Sequence, residues 1–280
     1  MNLVQAIVLG TIQGLTEFLP VSSSGHLVLF QRLFGLREAE MFFNVSVHMG
    51  TLGAVILFFR REIGGLLSAL FRVALALFRR RIRLSEAMAD PEFRLAVFIV
   101  VGSVPTAIIG LLFRKEADRI FSSTFLVALM LLVTGALLWA TRRFSTEDRE
   151  ARERRNTGSL SCAKACIVGT AQGLAILPGI SRSGATIAAG LFLGLDGPTA
   201  ARYSFLLSIP AIVGAQILSL ADLGREIPPI SIVLAGTGTA ALVGYGALAL
   251  LVYLVNRGRM HLFAPYCWSL GALTLGLHFL

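Results

Sequence analysis

Charge is what this 280-residue chain has least of: 15% of it is Asp, Glu, Lys or Arg, against 55% hydrophobic residues. A soluble domain carries about 25% charged residues, so the shortfall excludes an ordinary water-soluble protein and points to an integral membrane protein. Acids are scarcer than bases, 16 against 25, and the net charge of +9 sits between apolar runs rather than within them. That distribution reads as membrane topology, and no nucleic-acid partner is expected. Three cysteines make no even disulfide framework, and Cys162 and Cys166, one helical turn apart, are too few for a structural zinc. The pair reads as small buried apolar residues. The long runs lack period-2 alternation, which excludes an outer-membrane barrel and leaves helices. No basic segment precedes the first run, so no cleavable signal is expected.

Uncharged runs are what the chain has in abundance, at 41–59, 95–113, 120–141, 203–221, 227–256 and 260–280. Each is near the roughly 20 residues a helix needs to cross the hydrocarbon core. Two further apolar stretches are broken in the middle, and they carry the same phrase 159 positions apart. The first reads Gly10-Thr11-Ile12-Gln13-Gly14-Leu15 and continues to Ser22-Ser23-Ser24-Gly25; the second reads Gly169-Thr170-Ala171-Gln172-Gly173-Leu174 and continues to Ser181-Arg182-Ser183-Gly184. Without gaps, 8 of the 16 positions from Gly10 to Gly25 match their partners. Residues 1–34 break at 19–25 and residues 163–195 at 178–184, where proline, glycine and serine favour turns and helix N-caps. Each stretch is predicted to form a re-entrant helical hairpin.

Three spanning segments follow each hairpin: 42–60, 94–113 and 122–142, then 199–221, 231–256 and 261–280. An odd number of crossings per half inserts the second half upside down. The expected fold is therefore all-α and integral to the membrane, an inverted-topology repeat of 1–142 and 162–280 joined by a charged cytoplasmic linker at 143–161. Loops 60–92, 142–161 and 257–261 carry 15 Lys and Arg, and the opposite set carries 6, which places the first set in the cytoplasm. The first hairpin then dips in from the outer side and the second from the cytoplasm, so that their loops meet near mid-membrane. The stretch Arg79-Arg80-Arg81-Ile82-Arg83 reads as positive-inside charge with affinity for anionic lipid head groups.

The copies differ where chemistry would be. Glu17 and His26 face Ile176 and Ala185 in the alignment, and Arg182 faces Ser23. A glutamate in an apolar run is expensive. Glu17, which shares a helix face with Gln13, is a candidate cation ligand, a general base, or a hydrogen-bonding group for a broken helix. Ser22, Ser23 and Ser24 open a helix whose free N–H groups suit phosphate, although serines there also serve as caps. His26 beside them suggests a nucleophile–base or acid–base set. Arg182 can clamp phosphate oxygens or pair with Glu17, while Ser181, Ser183 and Thr186 offer hydroxyls and Gly179 and Gly184 permit close approach by an anion. His48 is close enough in sequence to the first hairpin to approach the same cavity; His261 and His278 read as interfacial. The Gly-x-x-x-Gly spacings at Gly10/Gly14, Gly169/Gly173 and Gly190/Gly194 read as close helix contacts.

These residues resemble the undecaprenyl-diphosphate phosphatase family of bacterial inner membranes, the bacitracin-resistance type. The resemblance rests on Gln13-Gly14-Leu15-Thr16-Glu17 with Phe18-Leu19-Pro20-Val21-Ser22-Ser23-Ser24-Gly25-His26, and on Pro178-Gly179-Ile180-Ser181-Arg182-Ser183-Gly184-Ala185-Thr186. Length and hydrophobic layout agree from end to end. The resemblance implies hydrolysis of the polyprenyl diphosphate carrier to its monophosphate, recycling it for peptidoglycan and conferring bacitracin resistance. It gives Glu17, Ser23, His26 and Arg182 catalytic roles, makes Gln13, Ser22, Ser24, Gly179, Ser181, Ser183 and Thr186 substrate-binding, and implies a divalent cation, magnesium or calcium, at Glu17. Gln13 stands where many relatives carry a second glutamate, which fits a cation completed by water and substrate. The implied setting is the bacterial inner membrane, with the site open to the outer side, lipid neighbours, and a homodimer left open.

For mechanism, the substrate is expected to enter laterally from the outer leaflet. Ser23 as nucleophile with His26 as its proton partner is the favoured route; a phosphohistidine and direct attack by water stay open. A polyprenyl-phosphate flippase is the alternative, because inverted repeats with broken helices also build transporters. The phosphatidic-acid-phosphatase class is disfavoured, since the chain has Ser24-Gly25-His26 but no Arg-Pro.

Overall fold

The computed structural model describes residues 1–36, 41–79, 82–116, 120, 123–144, 159–221 and 228–279, and these are helical without a strand. The helices longer than four residues are α1 (Leu3–Phe18), α2 (Ser23–Leu33), α3 (Met41–Phe58), α4 (Arg60–Phe78), α5 (Pro91–Phe113), α6 (Thr124–Ala140), α7 (Cys162–Leu174), α8 (Arg182–Phe192), α9 (Gly197–Ala221), α10 (Ile230–Asn256) and α11 (Ala264–Phe279). Of these, α5, α6 with the turn after it, α9 and α10 are the 4 long and apolar enough to cross a bilayer. A fifth span results if α3 and α4, bent by 77° about Phe59, count as one. Six had been expected; α11 is 16 residues long, shorter than the run 261–280 suggested. Most of the linker, 145–158, and Arg80-Arg81 of the basic stretch lie outside the described residues.

The two broken stretches form the expected hairpins, α1–α2 and α7–α8. Asn2 and Gln5 cap α1 reciprocally, each side chain accepting the other's backbone N–H at 2.9 Å. Helix α1 stops at Phe18 because Pro20 follows, and Ser161 caps α7 by accepting from the Lys164 N–H at 3.3 Å.

Residues 60–78, expected to be part of a loop, form helix α4 instead. Its Ala69 and Val73 bury against Ala87 and Phe93, while Leu67, Phe71 and Phe78 remain exposed. An amphipathic helix turned sharply from the preceding one suits the membrane surface. Arg72 on α4 pairs at 2.5 Å with Asp90, whose carboxylate caps α5 by accepting from the Glu92 and Phe93 N–H groups at 3.0 and 3.2 Å. The Phe93 N–H and then Arg72 hold the Asp90 carboxyl below the usual carboxylate range.

Packing is reciprocal between the halves. Helix α1 lies along α10 and α7 along α5; α3 touches α10 while α9 touches α5; α6 pairs with α11. Glycine permits close crossings in both halves. A Cβ on Gly14 would lie 2.8 Å from the Ala240 carbonyl oxygen, one on Gly173 would lie 2.7 Å from Ile109 Cδ1, and Gly10 and Gly169 sit directly on the backbones of Gly236 and Gly102. The third glycine pair behaves differently. Gly190 rests against Ala200, but Gly194 adopts φ +82° and ends α8, so this spacing is a contact followed by a stop. Cys162 and Cys166, expected to be buried, are exposed on the outward side of α7; an apolar thiol suits a lipid-facing surface at Cys166, a turn into the helix, while Cys162 is the helix's first residue.

Candidate active site

The hairpin loops meet and interlock. The Gly179 N–H donates to Ser22 Oγ at 3.0 Å, and Ser183 Oγ–H donates to the Phe18 carbonyl at 2.8 Å. Ser22 holds a left-handed φ of 69°, uncommon for a residue with a side chain. Its Oγ accepts from Gly179, and its carbonyl accepts from His26 Nδ1 at 2.8 Å, which fixes it there. On the second loop, Gly179 (φ +101°) lies so close to α6 that a Cβ would strike the Val127 carbonyl. Thr134 of α6 secures that loop twice, donating to the Gly179 carbonyl at 2.8 Å and accepting from the Ser181 N–H at 3.2 Å.

Each loop ends in a serine that precedes a helix. Ser22 precedes α2 and Ser181 caps α8, with Ser181 Oγ accepting from the Gly184 N–H at 3.1 Å. The first helical residues are consequently Ser23 and Arg182, equivalent positions of the repeated phrase. Both reach the same carboxylate, on α1. Ser23 Oγ–H donates to Glu17 Oε2 at 2.6 Å, and Arg182 pairs with Glu17 Oε1. Gln13 Nε2 adds a second hydrogen bond to Oε2 at 2.9 Å, and His48 Nε2 stands 3.8 Å from the same oxygen. The Glu17 side chain is 5% exposed, and these four groups come from both hairpins and α3.

Gln13, Glu17, Ser23 and Arg182 are therefore brought together. His26 is not among them. It is 3% exposed, Nδ1 bonds the Ser22 carbonyl, and Nε2 bonds the Tyr266 hydroxyl of α11 at 2.7 Å. Ser23 is thus hydrogen-bonded to Glu17, where sequence had suggested His26. Ser24 bonds Ser22 at 3.3 Å and Ser181 bonds Ser183 at 3.2 Å, so these hydroxyls knit the loops. The Thr186 hydroxyl is engaged by the Arg182 carbonyl at 2.8 Å and by Ser204 of α9 at 2.5 Å, which anchors the arginine's helix. His48 joins the site through α3, with Nδ1 bonding the Asn44 carbonyl at 2.7 Å. Sequence reading missed Thr134 and Tyr266; a lone threonine in an apolar run and a tyrosine distant in sequence carry no motif.

Among the described residues no three His, Cys, Asp or Glu side chains form a group that could hold a metal. One observation does favour a cation beside Glu17: Gln13 Oε1 is buried without a hydrogen-bond partner. Oxygen donors of this kind suit magnesium or calcium as part of a shell.

Apolar spans around two interlocked broken helices, with a serine and an arginine on one buried carboxylate, define a polytopic helical membrane protein with a polar site inside the bundle. A profile of the family described as "Bacitracin resistance protein BacA" matches residues 6–273, and the chain belongs to that family. It is 55% identical over 277 residues to a protein of Desulfosudis oleivorans named undecaprenyl-diphosphatase, covering 98% of both chains. Proteins of the same name from Desulfatibacillum aliphaticivorans and Methanosphaera stadtmanae are 48% and 40% identical over 281 residues, covering 100% and 98% of each chain respectively.

Proposed function

We propose that this protein hydrolyses undecaprenyl diphosphate to undecaprenyl phosphate and inorganic phosphate, returning the lipid carrier to peptidoglycan synthesis and removing the form that bacitracin traps. The observation that carries this reading is the 2.6 Å hydrogen bond from Ser23 to Glu17 with Arg182 on the other carboxylate oxygen. A hydroxyl on a carboxylate is an activated nucleophile. A guanidinium within reach of the same point is a clamp for phosphoryl oxygens. The name shared by the relatives supports hydrolysis over carriage of the lipid across the membrane.

In this reading Ser23 Oγ attacks the terminal phosphorus, its proton passes to Glu17, and the bond to the bridging oxygen breaks to release the lipid monophosphate. Water then attacks the phosphoserine, phosphate leaves, and Ser23 recovers its proton from Glu17. Arg182 turns from Glu17 to the phosphoryl oxygens as substrate arrives, and the interlocked serines hold both helix N-termini toward it. Gln13 and Glu17 would hold a magnesium or calcium ion, which when bound neutralises charge on the diphosphate.

The reciprocal helix pairing and the 15 against 6 basic residues support an inverted repeat in the bacterial inner membrane, with the first hairpin entering from the outer side. The lipid tail then stays in the bilayer while the diphosphate enters between helices. The test is phosphate release from undecaprenyl diphosphate by purified protein, with and without chelator, beside Arg182→Ala and Glu17→Ala. Activity in the wild type and its loss in both variants is expected. Near-normal turnover by either variant would remove Ser23–Glu17–Arg182 from the reaction.

A further inference from the structure

His26 is buried at 3% exposure, and both of its ring nitrogens are engaged. The Ser22 carbonyl can only accept, so Nδ1 carries a hydrogen and the neutral ring presents its lone pair at Nε2. That lone pair receives the Tyr266 hydroxyl at 2.7 Å, with the two rings near-parallel at 6°. Tyr266 is 49% exposed, so the residue that closes off the buried imidazole is itself open on one side. A phenol both donates and accepts. The same contact survives protonation of His26, when Nε2–H donates to the phenol oxygen and frees the phenol hydrogen for another acceptor.

We propose that Tyr266 works in this site as the positioning and relay residue of His26, fixing its tautomer and passing its proton to and from the reacting phosphate. This inference rests on the hydrolase reading above. When water attacks the phosphoserine, the phenol hydrogen passes to the Nε2 lone pair of the neutral imidazole as the phenol oxygen takes the water's proton. The imidazolium so formed hands that proton back along the same two bonds to the departing inorganic phosphate, leaving His26 neutral for the next cycle. Ser23 and Glu17 exchange their own proton separately, so each group ends the cycle as it began.

The test is Tyr266→Phe in full-length protein in detergent micelles, with kcat and KM for undecaprenyl diphosphate followed across pH. The ring is kept and only the hydroxyl is removed, so the fold is expected to hold. Loss of acid–base assistance predicts kcat lower by roughly 100-fold, with KM little changed and the part of the pH–rate curve due to His26 absent. The groups facing His26 are Tyr266 from α11 and the Ser22 carbonyl; Glu17, His48 and Arg182 are the charged or titratable groups of the adjoining site. Placing 2,3-difluorotyrosine at 266, a phenol of the same shape and greater acidity, should keep the fold and move the pH–rate curve toward lower pH. Wild-type kcat and an unmoved curve in the phenylalanine variant would overturn the inference, as would an unmoved curve in the fluorinated one should the first fail to fold. If Glu17→Ala and Arg182→Ala are inactive while Tyr266→Phe matches wild type, the relay alone is wrong. If wild type releases no phosphate, the hydrolase reading is wrong.

Discussion

Removing Arg182 or Glu17 should cost stability unequally, and removing both should restore part of it. In Arg182→Met the carboxylate left behind is 5% exposed, so water cannot reach it freely. Breaking a buried ion pair from one side costs about 3–5 kcal/mol. Ser23 and Gln13 still donate to Glu17 Oε2, at 2.6 and 2.9 Å, which puts the expected loss near the lower bound, about 3 kcal/mol. In Glu17→Gln the guanidinium left behind is 21% exposed and can turn toward water or a head group, so about 1.5 kcal/mol is expected. The double variant buries no unpaired charge and should lose only about 2 kcal/mol, a coupling of about 2.5 kcal/mol between the two sites. Reversible unfolding in mixed micelles measures all four proteins, and phosphate release is assayed on the same samples. Stability should recover in the double variant while activity stays absent, because the pair serves both fold and reaction. Strict additivity, or a larger loss from Glu17→Gln than from Arg182→Met, would refute the reasoning.

Thr134→Val keeps shape but leaves the Gly179 carbonyl and the Ser181 N–H without their partner; about 2 kcal/mol of stability and a lowered kcat are expected by unfolding and phosphate assays. Gly14→Leu would drive side-chain atoms into the backbone at Ala240 and Gly244 and should cost at least about 2 kcal/mol, whereas Gly238→Ala, which meets open space, should melt like wild type. In a Cys166→Ser background, exposed Cys162, at the start of α7, should react with a membrane-impermeant maleimide in inside-out vesicles and not in right-side-out ones; the reverse pattern would invert the proposed orientation.

The hairpins were legible because Pro20 and Pro178, with the serines after them, interrupt stretches otherwise free of proline. The bend after Phe58 was not. Arg60, Arg61 and Arg72 gave residues 60–78 the look of a loop, although Leu66, Ala69 and Val73 recur at the helical spacing that makes the buried face of α4. For the site, a charge at membrane depth needs water or a partner, so pairing of Glu17 with Arg182 was one of the two arrangements that cost allowed. The partner of Ser23 did not follow. Glu17 precedes it across a turn and His26 follows it by three positions, and only the left-handed backbone at Ser22 decides between them by drawing the imidazole to its carbonyl. Tyr266 reaches His26 through the packing of α11, which depends on the whole bundle.

Ser23 and Arg182 occupy the same place in the two copies, each the first helical residue after a serine, and both end on one glutamate. Two identical chains related by a twofold axis could not arrange this, since a residue chosen at that place would appear twice. A single chain permits the two places to diverge, one toward attack and the other toward holding charge. In this protein the covalent linker therefore has a chemical consequence: it turns a structure that is symmetric in its backbone into one that is asymmetric in its reagents.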